Sequence, residues 1–508
     1  MRIDVVARPA EKVKGDVILA TYGLPVRKDR LPFKDLLRPD ASRLLVKEVD
    51  AMTWLEGHGT VAPRVIMACL GTSADGDPQD GWCGDITVSE RVQRRLATSR
   101  RLGAAAEHAS HAQGVRHLVL APLPEAIDPA AFVDAILARS HANTEFQRDA
   151  EPSTLQRVTL CVDRSELARV RAEVKAAVIV AEASFVARSI ADLPANIGYP
   201  GEIVRRVREL ASEVGLHVDV QSPAQIKKLG MGLLAAVMRG AERPGALLTL
   251  EHRPTGYAEL PTLVLLGKGV VHDTGGYNLK TTHLMHAFTD DKAGAAAVIG
   301  AMQAIARLGV PLHVVGVAPL VENVVDATAY KPGDVLSAMD GSTVFVESTD
   351  AEGRLVLADC LTWISRFSPK LVVDIATLTA ASWTALGPAF AALFTNDTEA
   401  RDLLVAAGMA TGDLVWPMPI HPCHAAELPH RLAELRNAGP AEGGASVAAA
   451  FLRHFVDYPW AHVDMAGHGS SQVDGELQAA GGSGYGTRLL IALAQQAAQR
   501  WANERPTS

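Results

Sequence analysis

Two stretches concentrate side chains able to do chemistry together. Ser348-Thr349-Asp350-Ala351-Glu352-Gly353-Arg354-Leu355 follows the apolar run Thr343-Val344-Phe345-Val346 and places Asp, Glu and Arg at every second position. Read as extended backbone, the run points Asp350, Glu352 and Arg354 to one side. Upstream, Gly267-Lys268-Gly269-Val270-Val271-His272-Asp273-Thr274-Gly275-Gly276-Tyr277-Asn278-Leu279-Lys280 follows the strand-like Thr262 to Leu266, and Asp290-Asp291 precede an alanine-rich segment. Singly, each group has an ordinary reading: an Asp before such a helix is a cap, a Lys after a strand is solvated, and Gly-Gly is a turn. Jointly, four acids and three bases would meet at the ends of neighbouring strands. A divalent cation is the simplest object that makes sense of that crowd, because hard cations take carboxylate oxygens.

The elements that would hold these residues read as α/β throughout. Residues 1 to about 162 alternate buried strands (Asp16 to Thr21, Arg64 to Cys69, His117 to Ala121) with helices (Ser89 to Glu107, Pro129 to Arg139), which predicts a smaller N-terminal α/β domain. A helical pattern over 163–192 reads as a long connecting helix, ended by Leu193-Pro194-Ala195-Asn196. Residues 193–508 alternate again, with strands at Thr262 to Leu266, Leu312 to Val317, Thr343 to Val346, Lys370 to Ile375 and Ala461 to Met465. Helices are expected at Ala293 to Leu308, Leu355 to Phe367, Glu399 to Gly408, Ala445 to Phe455 and Tyr485 to Trp501. That rhythm predicts a doubly wound α/β catalytic domain with a mixed central sheet, its ligands beyond the carboxyl ends of the strands.

The bulk numbers bound the class. The 508 residues are 48% hydrophobic and 21% charged, an ordinary balance for a globular protein with a large core. The formal net charge of -8 disfavours nucleic acid or anionic membrane as a main partner, although arginines 91, 94, 95, 100 and 101 form a basic stripe on an expected helix face. The five cysteines are scattered with no CxxC pairing, and the start Met1-Arg2-Ile3-Asp4-Val5-Val6 lacks an apolar leader. A cytoplasmic protein with reduced thiols and no membrane span is expected.

The charged stretches resemble the M17 leucyl aminopeptidases, whose signature reads near N-T-D-A-E-G-R-L and whose upstream block reads near G-K-G-x-x-x-D-S-G-G-x-x-x-K. The likeness extends over at least residues 185 to 495 and includes Arg188 to Asn196, Trp416-Pro417-Met418-Pro419, Pro459 to Gly467 and Gly484 to Leu490. It implies that Lys268, Asp273, Asp291 and Glu352 hold one metal ion, and Asp273, Asp350 and Glu352 a second. Zinc is the first choice, with manganese, magnesium or cobalt as alternatives. Lys268 would bind as the neutral amine. The resemblance further implies a hydroxide activated by two metals about 3.5–4 Å apart that attacks the first peptide carbonyl, aided by Lys280 as oxyanion stabiliser. Arg354 would hold a bicarbonate that shuttles the proton to the leaving amine. Removal of N-terminal residues from short peptides by a homohexamer of two stacked trimers is the expected activity.

Departures from the family pattern leave every ligand position intact. Ser348 stands for Asn, Thr274 for Ser, His272 for an aromatic residue and Lys292 for an apolar one. His272 is turned from Asp273 by strand alternation, and Lys292 could point inward or out. The positions matching the specificity pocket are Phe288, Thr377, Ala380, Ala466 and Gly469; two of them commonly carry Met, so a leucine preference is not assumed. His421, Cys423, His424 and His430 are read as a surface group. A two-metal phosphoesterase, a DNA-binding scaffold and an inactive relative are the rival readings; the lysine ligand, the acidic balance and the seven charged site residues speak against them in turn.

Overall fold

The computed structural model describes residues 1–22, 52–56, 64–69, 90–148, 152–254, 260–282, 285, 291–475 and 477–503. They divide into two compact units, Met1–Ala181 with Val473–Ala480, and Glu182–Gln472 with Gly481–Ser508.

In the first unit, strands β1 (Arg2–Val6), β2 (Val17–Tyr22), β3 (Met52–Glu56), β4 (Arg64–Cys69), β5 (His117–Leu120) and β6 (Arg157–Cys161) form one sheet in the order β1-β6-β5-β2-β4-β3. All neighbours are parallel except β3 and β4. Helices α1 (Glu90–Ala112) and α2 (Pro129–Ser140) accompany it. Asp128 starts α2 by accepting from Ala130 N at 3.0 Å and Ala131 N at 2.9 Å, with Pro129 supplying the preset first φ. On α1 the expected basic stripe is partly neutralised at home. Arg95 lies 3.6 Å from Asp128, and Arg100 lies 4.0 Å from Asp134.

Helix α3 (Leu167–Ala191) runs 25 residues and crosses the division between the units. In the second unit, helix α4 (Pro200–Val214) precedes a mixed sheet built from β7 (His217–Gln221), β8 (Ala246–His252), β9 (Thr262–Gly267), β10 (Gly269–Asp273), β11 (His313–Asn323), β14 (Leu371–Ala376), β15 (Ala391–Thr395), β16 (Val415–Pro417) and β18 (Trp460–Asp464). Its order is β16-β15-β18-β14-β9-β11-β8-β7, with β10 pairing β11. The central neighbours β11, β9, β14 and β18 are parallel, while β7, β8 and β15 introduce antiparallel pairs. The short strands β12 (Val335–Ser337), β13 (Thr343–Phe345) and β17 (Leu435–Arg436) form a separate sheet.

Alternation along the central strands shows that both faces are covered. Val264 and Leu266 of β9, and Val315 and Val317 of β11, share a core with Leu355 to Ile364 and with Val447, Ala450 and Phe451. Those partners lie on α6 (Glu352–Ile364) and α9 (Gly444–His454). Gly316, between Val315 and Val317, faces the other way: a Cβ there would lie 2.6 Å from Met302 and 3.1 Å from Val298 of α5 (Ala293–Leu308). Strands buried on both faces read as continuous apolar runs, as these do. Helices α7 (Ala380–Leu386), α8 (Thr398–Thr411) and α10 (Thr487–Asn503) also belong to the unit. The expected doubly wound α/β architecture with a mixed central sheet is the one observed.

The structure corrects the extended reading of the octapeptide. Strand β13 ends at Phe345, and Glu352 begins helix α6, so Glu352, Gly353 and Arg354 lie on a first helical turn. Strands β7, β8 and β15 were not anticipated: β7 is a short run of mixed polarity, while β8 and β15 are apolar runs that periodicity alone does not distinguish from buried helix. No helix among the described residues is long and apolar enough to cross a membrane.

Candidate active site

Parallel strands β9, β10, β11, β14 and β18 send their carboxyl ends to one edge of the sheet. Lys268 follows β9, Asp273 ends β10, Asn323 ends β11, Thr377 follows β14, and Ala466 lies just past β18. Asp291 sits before α5 and Glu352 opens α6, where the partial positive charge of a helix start suits a carboxylate. A cavity of about 490 Å³ collects Lys268, Asp273, Lys280, Asp291, Asp350, Glu352 and Arg354, together with Thr377, Ala380 and Ala466. Gly469 does not line it; its neighbours Gly467 and Ser470 do. Phe288 lies outside the described residues.

Ion pairs join the charged groups across the two sequence stretches. Lys268 Nζ lies 2.7 Å from Asp291 Oδ1 and 2.9 Å from Glu352 Oε1, and donates to the Thr377 carbonyl at 2.9 Å. Lys280 Nζ lies 2.9 Å from Asp273 Oδ2 and also contacts Asp350 Oδ1. One ligand atom from each of Asp273, Asp350 and Glu352 can be chosen so that all three lie within 4.8 Å of one another. Convergence therefore holds for the carboxylates, although a helix rather than an extended strand brings Glu352 in.

Burial and mutual charge set the protonation of the group. Burial drags Lys268 down, but Asp291, Glu352 and Asp273 outweigh it and hold the amine well above its ordinary value. Lys280 is likewise raised against its burial by Asp273 and Glu352. Burial and the Glu352 charge push Asp273 up to about 6. Burial lifts Asp291 well above the usual carboxylate range and also raises Asp350. Glu352, equally buried, is held low by Lys268 and Lys280. Burial lowers Arg354 to about 10.

Two carboxylate oxygens in this crowd stand out. Asp291 Oδ2 and Glu352 Oε2 are buried and have no hydrogen-bond partner, although the other oxygen of each is engaged. A buried acceptor left without a donor is costly, whereas a cation satisfies it. The donor set thus fits divalent metal: four carboxylates, two of them with open lone pairs, around a buried amine. Arg354 presents the opposite situation. Its Nε is buried without an acceptor, and its side chain lines both this cavity and a second of about 650 Å³.

Residues outside the charged set shape the cage. Asp273 Oδ1 accepts from Asn323 Nδ2 and from Gly275 N, both at 2.8 Å. Asn323 also donates to the Thr349 carbonyl at 3.0 Å, which Tyr330 Oη reaches at 2.8 Å. Thr349 and Asn278 lock the two stretches together, with Thr349 N donating to Asn278 Oδ1 at 2.8 Å and Asn278 N to Thr349 Oγ1 at 2.9 Å. The turn between them needs glycine. Gly275 and Gly276 have φ of 82° and 62°, and a Cβ on Gly275 would lie 2.4 Å from the Asn278 carbonyl. Sequence reasoning named Asn278 and Thr349 only as parts of their stretches and passed over Asn323 and Tyr330. A buried Asn ending the apolar run of β11 was the one available signal.

The departures now have places. Lys292 is fully buried before α5, and its charge, after burial, lowers His272. His272 is half-buried on β10, its Nδ1 without a partner. His421, Cys423 and His430 do not join a metal-ligating group among the described residues. His421 Nδ1 lies 3.2 Å from the exposed Cys423 Sγ, and His430 stacks on Phe345 at 3.8 Å.

Fold and site together define an α/β protein with a carboxylate-rich cavity past the carboxyl ends of its parallel strands, and comparison with known proteins gives the class. Residues 185–491 match the catalytic-domain model of the cytosol aminopeptidase family, Peptidase_M17. A probable cytosol aminopeptidase of Syntrophotalea carbinolica is 36% identical over 462 residues, covering 90% of each chain. The cytosol aminopeptidase of Rickettsia prowazekii is 39% identical over 357 residues, 69% of this chain and 71% of that one. Among solved structures, the bottromycin maturation enzyme BotP in complex with Mn superposes with a TM-score of 0.82 at 30% identity, over 95% of this chain and 100% of that one. A mutant tomato leucine aminopeptidase shares the fold, with a TM-score of 0.83 at 24% identity over 98% and 96% of the two chains. The chain belongs to the M17 cytosol aminopeptidase family and is an aminopeptidase of that family.

Proposed function

We propose that this chain is a dinuclear metal-dependent aminopeptidase that removes N-terminal residues from short peptides. The observation that carries the reading is the pair of buried, partnerless oxygens, Asp291 Oδ2 and Glu352 Oε2, within the carboxylate cage. Lys268, Asp273, Asp291 and Glu352 would hold one ion, and Asp273, Asp350 and Glu352 the other. When bound, the ions supply Lewis acidity toward a peptide carbonyl and lower the pKa of water. Zinc is the first choice; manganese, magnesium and cobalt also suit carboxylate-rich ligation, and the related BotP has been solved with Mn.

The side chains divide the remaining work. Lys268 serves as a ligand only as the free amine, so loading exchanges its proton for cation charge beside Asp291 and Glu352. Lys280, kept charged by Asp273 and Glu352, would donate to the carbonyl oxygen as negative charge develops there. Arg354 offers a planar set of donors whose Nε has no protein acceptor, a match for a bicarbonate ion that would relay the proton to the leaving amine.

Residues 193–508 are assigned the chemistry, with 1–162 and the connecting helix 163–192 supporting assembly. A cytoplasmic homohexamer of two stacked trimers, whose interior excludes folded proteins, accounts for the restriction to short peptides. The cytosol aminopeptidase relatives support the cytoplasmic location. The test is a panel of aminoacyl amides given to metal-stripped protein re-supplied with Zn²⁺, Mn²⁺, Mg²⁺ or Co²⁺. Hydrolysis is expected to return with metal and to vanish for N-acetylated substrates. Equal cleavage of N-acetylated substrates, or none of any substrate, would overturn the reading.

A further inference from the structure

Helix α7 borders two cavities, with Ala380 lining both. Ala381, Thr384 and Ala385 line the cavity of about 650 Å³, as helical spacing allows. Trp383, one turn past Ala380, lines the cavity of about 490 Å³ that holds the carboxylate cage. A tryptophan open to solvent is unusual on a helix that packs against a sheet, and Trp383 remains 39% exposed.

The backbone opposite is shaped to receive this ring. Gly467 has φ of 78°, and a Cβ there would lie 2.1 Å from Trp383 Cε3 and 2.4 Å from Cδ2. The indole therefore lies flat against a bare stretch of chain. His468 meets it edge-on, with ring centroids 5.6 Å apart. Backed on those sides, the indole has little freedom left to lose when something packs on its open surface. Away from the charged cage, Leu378, Ala380, Ala466 and Gly467 share the cavity wall with it, and Ser470 and Gln472 add polar groups.

We infer that Trp383 is a specificity-determining residue whose indole forms the apolar wall for the side chain of the N-terminal substrate residue. The inference rests on the aminopeptidase reading. With the amine and first carbonyl of a peptide at the cage, the side chain on the carbon between them must enter the adjoining space. There it meets an aromatic ring flanked by the small residues Ala380, Ala466 and Gly467. Such a compartment selects large apolar or aromatic side chains and gives alanine or glycine little to touch.

The test compares kcat/KM for alanyl, leucyl and phenylalanyl amides between the full-length metal-loaded protein and W383A, W383F and G467A. Wild type is expected to favour Leu and Phe. W383A should lose roughly tenfold or more on Leu and Phe but no more than about twofold on Ala, the scale on which apolar pocket contacts discriminate. W383F should keep the preference, and G467A, which displaces the ring, should lose it. Product inhibition by free phenylalanine should weaken in W383A while that by alanine stays constant. An even fall across all three substrates, no change, or a gain for Phe would overturn the role of Trp383 while leaving the peptidase reading standing. A wild type inert toward every amide would overturn the peptidase reading itself. Should W383A fail to fold, W383F and G467A carry the same comparison.

Discussion

Asn323 Nδ2 donates to Asp273 Oδ1 at 2.8 Å, and through its second donor to the Thr349 carbonyl it ties the end of β11 to both charged stretches. A fully buried amide in this position fixes which oxygen of Asp273 remains for a cation. Asn323→Ala is expected to weaken metal binding roughly 10–100-fold, the usual effect of losing such a supporting contact. Equilibrium dialysis with Mn²⁺ measures it; unchanged affinity would remove Asn323 from the design.

Lys280 and Glu352 should fail in different ways. Lys280→Ala is expected to lower kcat by about 10²–10³-fold, in line with loss of an oxyanion donor. Glu352→Ala should abolish turnover together with bound metal, because it removes the ligand that we propose both ions share. Steady-state kinetics paired with metal analysis separates the two, and metal loss in Lys280→Ala would contradict its assignment.

Gly353 is a steric requirement. A Cβ there would lie 2.7 Å from Lys268 Cε and 2.8 Å from its Nζ, the far end of a flexible chain, and 3.0 Å from Leu378 Cδ1. Gly353→Ala should therefore displace the Lys268 amine and reduce metal affinity while shifting the melting temperature little. A large drop in melting temperature with unchanged metal content would reverse that order of effects.

Beneath the sheet edge, His462 Nδ1 lies 2.5 Å from Asp374 Oδ1, both residues fully buried, and Trp460 Nε1 donates to Asp374 Oδ2 at 2.6 Å. Burial alone would lower His462, but the Asp374 charge and hydrogen bond raise it above 6.5. A raised folded value means the pair stabilises fully below pH 6.5 and progressively less as pH climbs through the folded value. Thermal stability should fall over that interval. Asp374→Asn should flatten this component of the slope and cost about 3–5 kcal/mol at pH 6, as breaking one side of a buried pair does. Thermal melts of both proteins from pH 5.5 to 8.5 check the sign.

What was legible in the chain follows physical lines. Helix α5 coincides with the expected Ala293 to Leu308, since alanine-rich periodicity and Gly309 at its end leave no competing element. The start of α6 was not legible. No side chain caps it, and Asp350, which looks like a cap two residues ahead, turns instead to Lys280. Local rules give way where chemistry claims the residues. The seven charged residues could be named because they cluster in two short stretches. Asn323, Tyr330 and Trp383 lie outside those stretches; only folding brings the first two onto Asp273 and Thr349 and puts Trp383 in the cavity wall.

Anomalous scattering from a crystal soaked in Mn²⁺ tests the central claim most directly. Two peaks are expected, both in contact with Asp273 and Glu352, with the Lys268 amine turned onto one of them. A cavity without peaks, with Lys268 still paired to Asp291 and Glu352 as an ammonium, would contradict it.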